Sequence, residues 1–372
     1  MKVANGIEII KVLEQAFPKY LSYAKDPIGL HIGTLNKKVK RIMVTLDVLE
    51  NVVDEAIAKE VDLIVAHHPL LFRPIQAIDT ATPQGRLIEK AICHQIAIYG
   101  IHTNLDIGTG GINDYMANSL GLSNCEIMDV TYEEPLIKLV TSVPKSHIEA
   151  VYEAICHAGA GHIGNYKGTS FQTEGIGMFI PLKGATPFIG KVGHAEQVSE
   201  IRLETILPLK LQNKVLKALL VAHPYEEVAY DFYPLNQKGK AYGLGRVGCL
   251  AAPMSLHAFA NWLKEKWDLD GVRVIGDLNQ PIQKVAVSGG DGNKYIAKAK
   301  RMGADVFVSG DIYYHNAHSA MEMGLSIVDV GHHAEKICKP LLADFFCQKA
   351  QEYKWMLDVL QSESNTNPFR FL

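Results

Sequence analysis

Two histidine doublets and a His–Asp pair carry the chemistry that this sequence can do. Val65-Ala66-His67-His68-Pro69 closes a short apolar run, and Val328-Asp329-Val330-Gly331-His332-His333-Ala334-Glu335 closes another near the opposite end of the chain. Between them, His102-Thr103-Asn104-Leu105-Asp106 follows the apolar run Ile96 to Ile101. Neutral imidazole is a common nitrogen ligand for metals, and a ligand placed where a strand ends is held rigidly. Two metal ions about 3.5–4 Å apart need a bridging carboxylate or hydroxide and several flanking ligands. His67, His68, Asp106, His332 and Glu335 supply that set, with His102 and His333 in reserve. Two divalent ions against two carboxylates leave a surplus of positive charge, which favours hydroxide and a phosphate-bearing or otherwise anionic substrate. The donors suit zinc, iron, manganese, cobalt or nickel and disfavour calcium and magnesium.

Other residues admit two readings each. His102 is either a ligand or a group that moves protons. His315, with His318 on the helix after Gly310-Asp311, either reaches the site or lies on the surface. Asp47 and Asp329 each close a strand, where they either orient a ligand imidazole or cap a helix. Ser288-Gly289-Gly290-Asp291-Gly292 follows a strand and opens a helix, so it reads as a phosphate cradle or as a plain tight turn. His223-Pro224-Tyr225-Glu226-Glu227 reads as a turn that shapes a domain surface rather than as a second metal site.

The elements that must position these residues alternate between strand and helix. Strands are predicted at 41–47, 61–65 and 96–101, with helices through 50–59 and 83–94, and the histidines fall beyond the strands' carboxyl ends. Ligands of open α/β sheets gather at those ends. The character changes near residue 129. A strand from Leu136, a helix through Cys156, a Gly-rich segment, a strand from Ser199, a helix at 209–221 and a strand from Val228 resemble a ferredoxin-like unit. Asn236 to Gly245 reads as the linker back, after which the first pattern resumes. The fold class is therefore α/β: a discontinuous layered α/β metal-binding domain (1–128 and 240–372) with an inserted ferredoxin-like α+β domain at 129–239.

Composition narrows the function further. The 372 residues are 48% hydrophobic and 21% charged with a net charge of −3, and no Lys/Arg block offers a nucleic-acid footprint. No apolar run approaches the roughly 20 residues needed to cross a bilayer. No signal-peptide core follows Met1, which predicts a cytoplasmic protein. Six cysteines form no CxxC pair, and most of them read as buried thiols in a reducing cytosol.

Ala66-His67-His68-Pro69, His102-Thr103-Asn104-Leu105-Asp106, Ser309-Gly310-Asp311 with His315, and Gly331-His332-His333 together resemble the Nif-three-like dinuclear-metal family, the GTP cyclohydrolase I type 2 homologues. The insert with its His223-Pro224-Tyr225-Glu226-Glu227 turn is similar to the long bacterial members, whose insert has a PII/CutA-type fold. The resemblance implies two metals held by His67, His68, Asp106, His332 and Glu335, and a toroidal homohexamer with sites facing an internal cavity. It also implies a metal-dependent hydrolase that opens the guanine imidazole ring at C8, or acts on another phosphorylated molecule, with His102 or His315 moving protons. The alternative is a non-catalytic metal-binding or regulatory protein whose insert senses a ligand or partner. A scaffold built around the insert is a third reading.

Overall fold

Residues 2–372 are described by the structure, a computed structural model. They form two compact units, Met1–Tyr132 with Tyr242–Leu372, and Glu133–Ala241. The strands Ser123–Pro144 and Tyr230–Ser255 carry the chain out of the first unit and back.

Besides the two-stranded pairing of Ala4–Asn5 with Lys38–Val39, the first unit holds strands of two large sheets. One has the spatial order Asp358–Gln361, Arg41–Thr45, Leu63–Ala66, Ala97–Gly100, Gly29–Ile32. Its first four strands are parallel, and Gly29–Ile32 closes the edge antiparallel. In the other, Pro281–Asp291, Val306–Gly310 and Ser326–Asp329 run parallel, flanked by antiparallel Arg273–Ile275 and the end of Tyr230–Ser255. Parallel strands are covered on both faces, so they read as continuous apolar runs instead of alternating ones. Leu63–Ala66 is buried at every position because Leu63 and Val65 enter one apolar cluster while Ile64 and Ala66 enter another. The first cluster also takes Val285, Val306 and Val328 from the second sheet and Leu13, Phe259 and Phe346 from helices, so both sheets share one core. Helices Glu50–Ala58 and Pro83–Cys93 cover the far face of the first sheet through Val52, Val53, Leu87 and Ile88.

In the second unit the order is strand, helix Ile148–Ala158, strand Ser170–Phe179, strand Glu196–Pro208, helix Gln212–Ala222, strand. The strands lie in the order Tyr230–Ser255, Ser123–Pro144, Glu196–Pro208, Ser170–Phe179. That is the ferredoxin-like arrangement, in which the last strand lies beside the first and the third between the first and second. Leu139, Val143, Leu203 and Leu207 from the strands bury against Val151, Ile155, Val215 and Leu219 from the helices.

Three details differ from the sequence reading. Asn236 to Gly245 is strand, not linker: its first half is polar and mostly exposed, its end at 243–245 is buried, and the strand lies between Pro281–Asp291 and Ser123–Pro144 in the sheet. Ser170–Phe179 is a strand although it contains Gly175 and Gly177, held by a ten-residue register with Glu196–Pro208. Cys93, Cys125 and Cys347 are exposed, and only Cys338 is fully buried. No described helix is long and apolar enough to cross a membrane.

Candidate metal centre

The parallel strands of the first sheet end at a common edge, and the chain continues past it without losing register. The amides of His67 and His68 donate to the carbonyls of Thr45 and Leu46 at 3.1 and 2.9 Å, and that of Ile101 donates to Ala66 at 2.8 Å. Asp47, the two histidines and His102 are thereby set side by side. Beyond Ser326–Asp329, a 3₁₀ turn covers His332–Ile337. Residues three apart eclipse in a 3₁₀ helix, so His332 and Glu335 point the same way, with Nε2 and Oε2 3.3 Å apart. The carboxylate three residues after the histidine reaches the centre for this reason.

Four imidazoles are fixed by their Nδ1 atoms. His67 is bound to the carbonyl of Ile101 at 3.0 Å, His68 to Asp47 at 2.7 Å, His102 to Asp26 at 2.8 Å and His332 to Asp311 at 2.7 Å. Oxygen partners at Nδ1 leave each Nε2 free to face the centre, the arrangement found behind metal-bound histidines. Glu335 Oε2 lies 3.0 Å from His68 Nε2, 3.6 Å from His67 Nε2 and 3.3 Å from His332 Nε2. Asp106 Oδ1 is 3.7 Å from His67 Nε2. Three overlapping groups could each hold a metal ion: His67, His68 and His102; His68, His332 and Glu335; His67, Asp106 and Glu335.

The residues fit a cation. His67 Nε2 and Asp106 Oδ1 are fully buried with no hydrogen-bond partner, and leaving such atoms unpaired costs about 1–3 kcal/mol each. Burial pushes Asp106 up, to about 6, with Glu335 adding to the effect and His67 opposing it. Burial acts the same way on Glu335, but the imidazoles of His332, His67 and His68 outweigh it and hold the carboxyl well below its usual range. Burial alone would lower His68, yet its bonds to Asp47 and Glu335 raise it to about 10. Glu335 and Asp311 raise His332 to about 9 against the effect of burial. Protons on these rings compensate the buried carboxylates, and a metal ion would replace them.

Supporting residues outside the motifs complete the frame. Buried Asn113 donates to the Asp106 carbonyl at 2.9 Å and accepts from the Gly289 amide at 3.1 Å, tying the two sheets' loops together. Asp329 accepts from the amides of Ile312 and Gly331 at 3.1 and 2.9 Å and pairs with Arg273; it braces the loops that carry Asp311 and His332. Along 288–292, the amides of Gly289, Gly292 and Asn293 are engaged by Asn113, the Gly310 carbonyl and Asp291. A Cβ on Gly289 would stand 2.6 Å from Glu335 Oε1, so close approach of that carboxylate explains the glycine. Ser288 to Asp291 stay in the strand Pro281–Asp291, whose pairing with Val306–Gly310 shifts register between Val287 and Asp291, so the segment is an irregular strand end and neither a phosphate cradle nor a tight turn.

His67, His68, Asp106, His332 and Glu335 thus converge, and His102 joins them, its ring 5.4 Å from that of His67. His333 is half-buried and lines the cleft above the cluster without entering any of the three groups. His315 stands apart from them, exposed on helix Tyr314–Glu322 with its ring against Tyr314. The cleft has a volume of about 710 Å³; its imidazoles face Leu49, Leu70, Phe72 and Pro368, and no Lys or Arg lines it.

The family model for Duf34/NIF3 (NGG1p interacting factor 3) matches residues 4–368. This chain belongs to the DUF34/NIF3 family. A Bacillus subtilis relative named GTP cyclohydrolase 1 type 2 homolog is 53% identical, with both chains covered in full. Among solved structures, a Bacillus cereus protein related to NIF3 superimposes with a TM-score of 0.94 at 49% identity, covering all of both chains. A Staphylococcus aureus protein does so with a TM-score of 0.83 at 29% identity, again over both full lengths. The NIF3 fold accounts for the α/β architecture.

Proposed function

We propose that this NIF3 chain binds two divalent cations through His67, His68, Asp106, His332 and Glu335, and uses them as a hydrolase on a nucleotide or another phosphorylated substrate. One observation carries the reading: His67 Nε2 and Asp106 Oδ1 are buried 3.7 Å apart with no hydrogen-bond partner for either. Glu335 Oε2, within 3.6 Å of three imidazoles, would help those rings hold the cations. Nitrogen and carboxylate donors suit zinc, iron, manganese, cobalt or nickel. Such a pair supplies Lewis acidity and a lowered pKa for water.

The chain's own groups do the rest. Asp26 accepts at His102 Nδ1, leaving Nε2 to take or give a proton toward the cleft. Leu49 and Phe72 present an apolar wall to a planar base. Because no Lys or Arg lines the cleft, a bound phosphate depends on the cations for its countercharge. The relatives' name makes GTP the first substrate to try.

The test pairs elemental analysis of purified protein with formate release from GTP, before and after chelation. About two metals per chain with chelator-sensitive formate is the expected result. Two metals without formate would move the reading to other phosphorylated substrates or to a regulatory metal protein. No metal after reconstitution with zinc, iron or manganese would overturn it. The same reading extends to assembly as a homohexamer, and light scattering should return six times the 41.0 kDa chain mass.

A further inference from the structure

The His223-Pro224-Tyr225-Glu226-Glu227 turn, which the metal centre leaves unused, borders a second cavity, of about 510 Å³, wholly within the unit Glu133–Ala241. His223 itself is no ligand there. Its Nε2 donates to the Ser142 carbonyl at 3.0 Å and its Nδ1 accepts from the Tyr225 amide at 3.1 Å, so both ring nitrogens are spent pinning the turn. The turn then delivers Tyr225, Glu226 and Glu227 to the cavity wall.

Opposite them the wall is apolar and aromatic. Phe179 and Phe188 flank Tyr225 with ring centroids 6.0 and 6.3 Å away. At the base lies Glu200, 7% exposed, one of whose oxygens accepts from the Tyr225 hydroxyl at 2.8 Å. No donor meets its other oxygen among the described residues. A Cβ on Gly177 would stand 2.3 Å from that second oxygen, so the glycine leaves the carboxylate its place. Three carboxylates line this cavity, and no Lys, Arg or His does.

A pocket of this size suits a small molecule. Aromatic faces attract cations, more strongly when water is excluded. A buried carboxylate with a spare oxygen asks for a charged donor. We infer that this cavity is a binding site for a small organic ammonium ion with an aromatic or aliphatic body, its charge on Glu200 and its apolar part between Phe179 and Phe188. None of the proposed metal ligands lines the cavity.

The test uses the full chain and three probes of one shape: phenethylammonium, neutral phenethyl alcohol and anionic 3-phenylpropionate, titrated by saturation-transfer-difference NMR. The wild type should bind the ammonium about tenfold more tightly than either of the others, the scale of one charge-assisted hydrogen bond. Glu200→Gln, nearly isosteric, should erase that preference. Phe188→Ala, at a half-exposed residue whose loss spares the core, should weaken all three probes. Equal binding of the three probes, or preference for the anion, would overturn the inference. So would an ammonium preference that survives both substitutions, because the cation would then be bound elsewhere.

Discussion

At the scale of single residues, the site works by fixing the back of each ring so that the front has one direction to face. His68 shows the logic most fully. Its Nδ1 meets Asp47 Oδ1 at 2.7 Å, and Asp47 Oδ2 accepts from the Thr366 hydroxyl at 2.6 Å. Burial pushes the Asp47 carboxyl up, but these two bonds outweigh it and hold it below its ordinary value. Asp47→Asn keeps the shape and removes the charge. It should lower metal affinity about 10–100-fold, the usual cost of losing such a partner, with the fold unchanged; chelator competition measures it. Asp106→Ala should strip metal outright while circular dichroism stays that of the wild type, and full occupancy would remove Asp106 from the ligand set. The proposed ligands are legible in the sequence because they sit in short motifs beyond apolar runs: His67 with His68, Asp106 four residues after His102, His332 with Glu335. Of the partners behind the rings, Asp47 is legible as a strand-end carboxylate, but the pairings of Asp26 with His102 and of Asp311 with His332 are not, because they lie 76 and 21 positions apart. No local pattern couples residues so far apart.

At the scale of elements, the apolar runs that end in histidine were readable, since a parallel strand covered on both faces leaves a continuous hydrophobic signature. Strands held by pairing alone left none. Ser170–Phe179 is exposed along most of its length, and Asp358–Gln361 is a four-residue strand seated beside Arg41–Thr45. That last strand leads into the tail that brings Thr366 to Asp47. Glu55 anchors the tail, accepting from the amides of Glu363 and Ser364 at 2.9 and 3.1 Å and from the hydroxyls of Ser362 and Ser364. Burial would raise the Glu55 carboxyl, but these bonds lower it to about 2. A depressed carboxyl stabilises the folded form above its unfolded value, about 4.3, and that contribution fades as pH falls toward 2. Amide exchange at 362–366 should therefore accelerate between about pH 4.3 and 2, once the intrinsic pH dependence of exchange is divided out. In Glu55→Gln the faster exchange should already be present at pH 7. Protection that stays flat across the window would mean that the tail is held by something else.

At the scale of the whole chain, every proposed ligand falls within Met1–Tyr132 and Tyr242–Leu372, while Glu133–Ala241 has a core of its own. The two cut points lie close together in the first unit. The Thr131 hydroxyl donates to the Tyr242 carbonyl at 3.5 Å, and a Cβ on Gly243 would stand 1.9 Å from the Asp129 carbonyl oxygen. A short turn can therefore join Tyr132 to Tyr242 at little entropic cost, because closing a loop becomes cheaper as it shortens. Excision removes one apolar cluster entire, that of Leu139, Val151, Leu203 and Val215, and leaves Met128, Leu244 and Val247 packed with Ala286 and Phe307. The shortened protein should fold, keep the metal stoichiometry of the full chain and lose the ammonium site. Metal analysis after gel filtration decides the point. A folded deletion protein that has lost its metal would show that the insert supplies a ligand, and the assignment of the centre to one unit would fall.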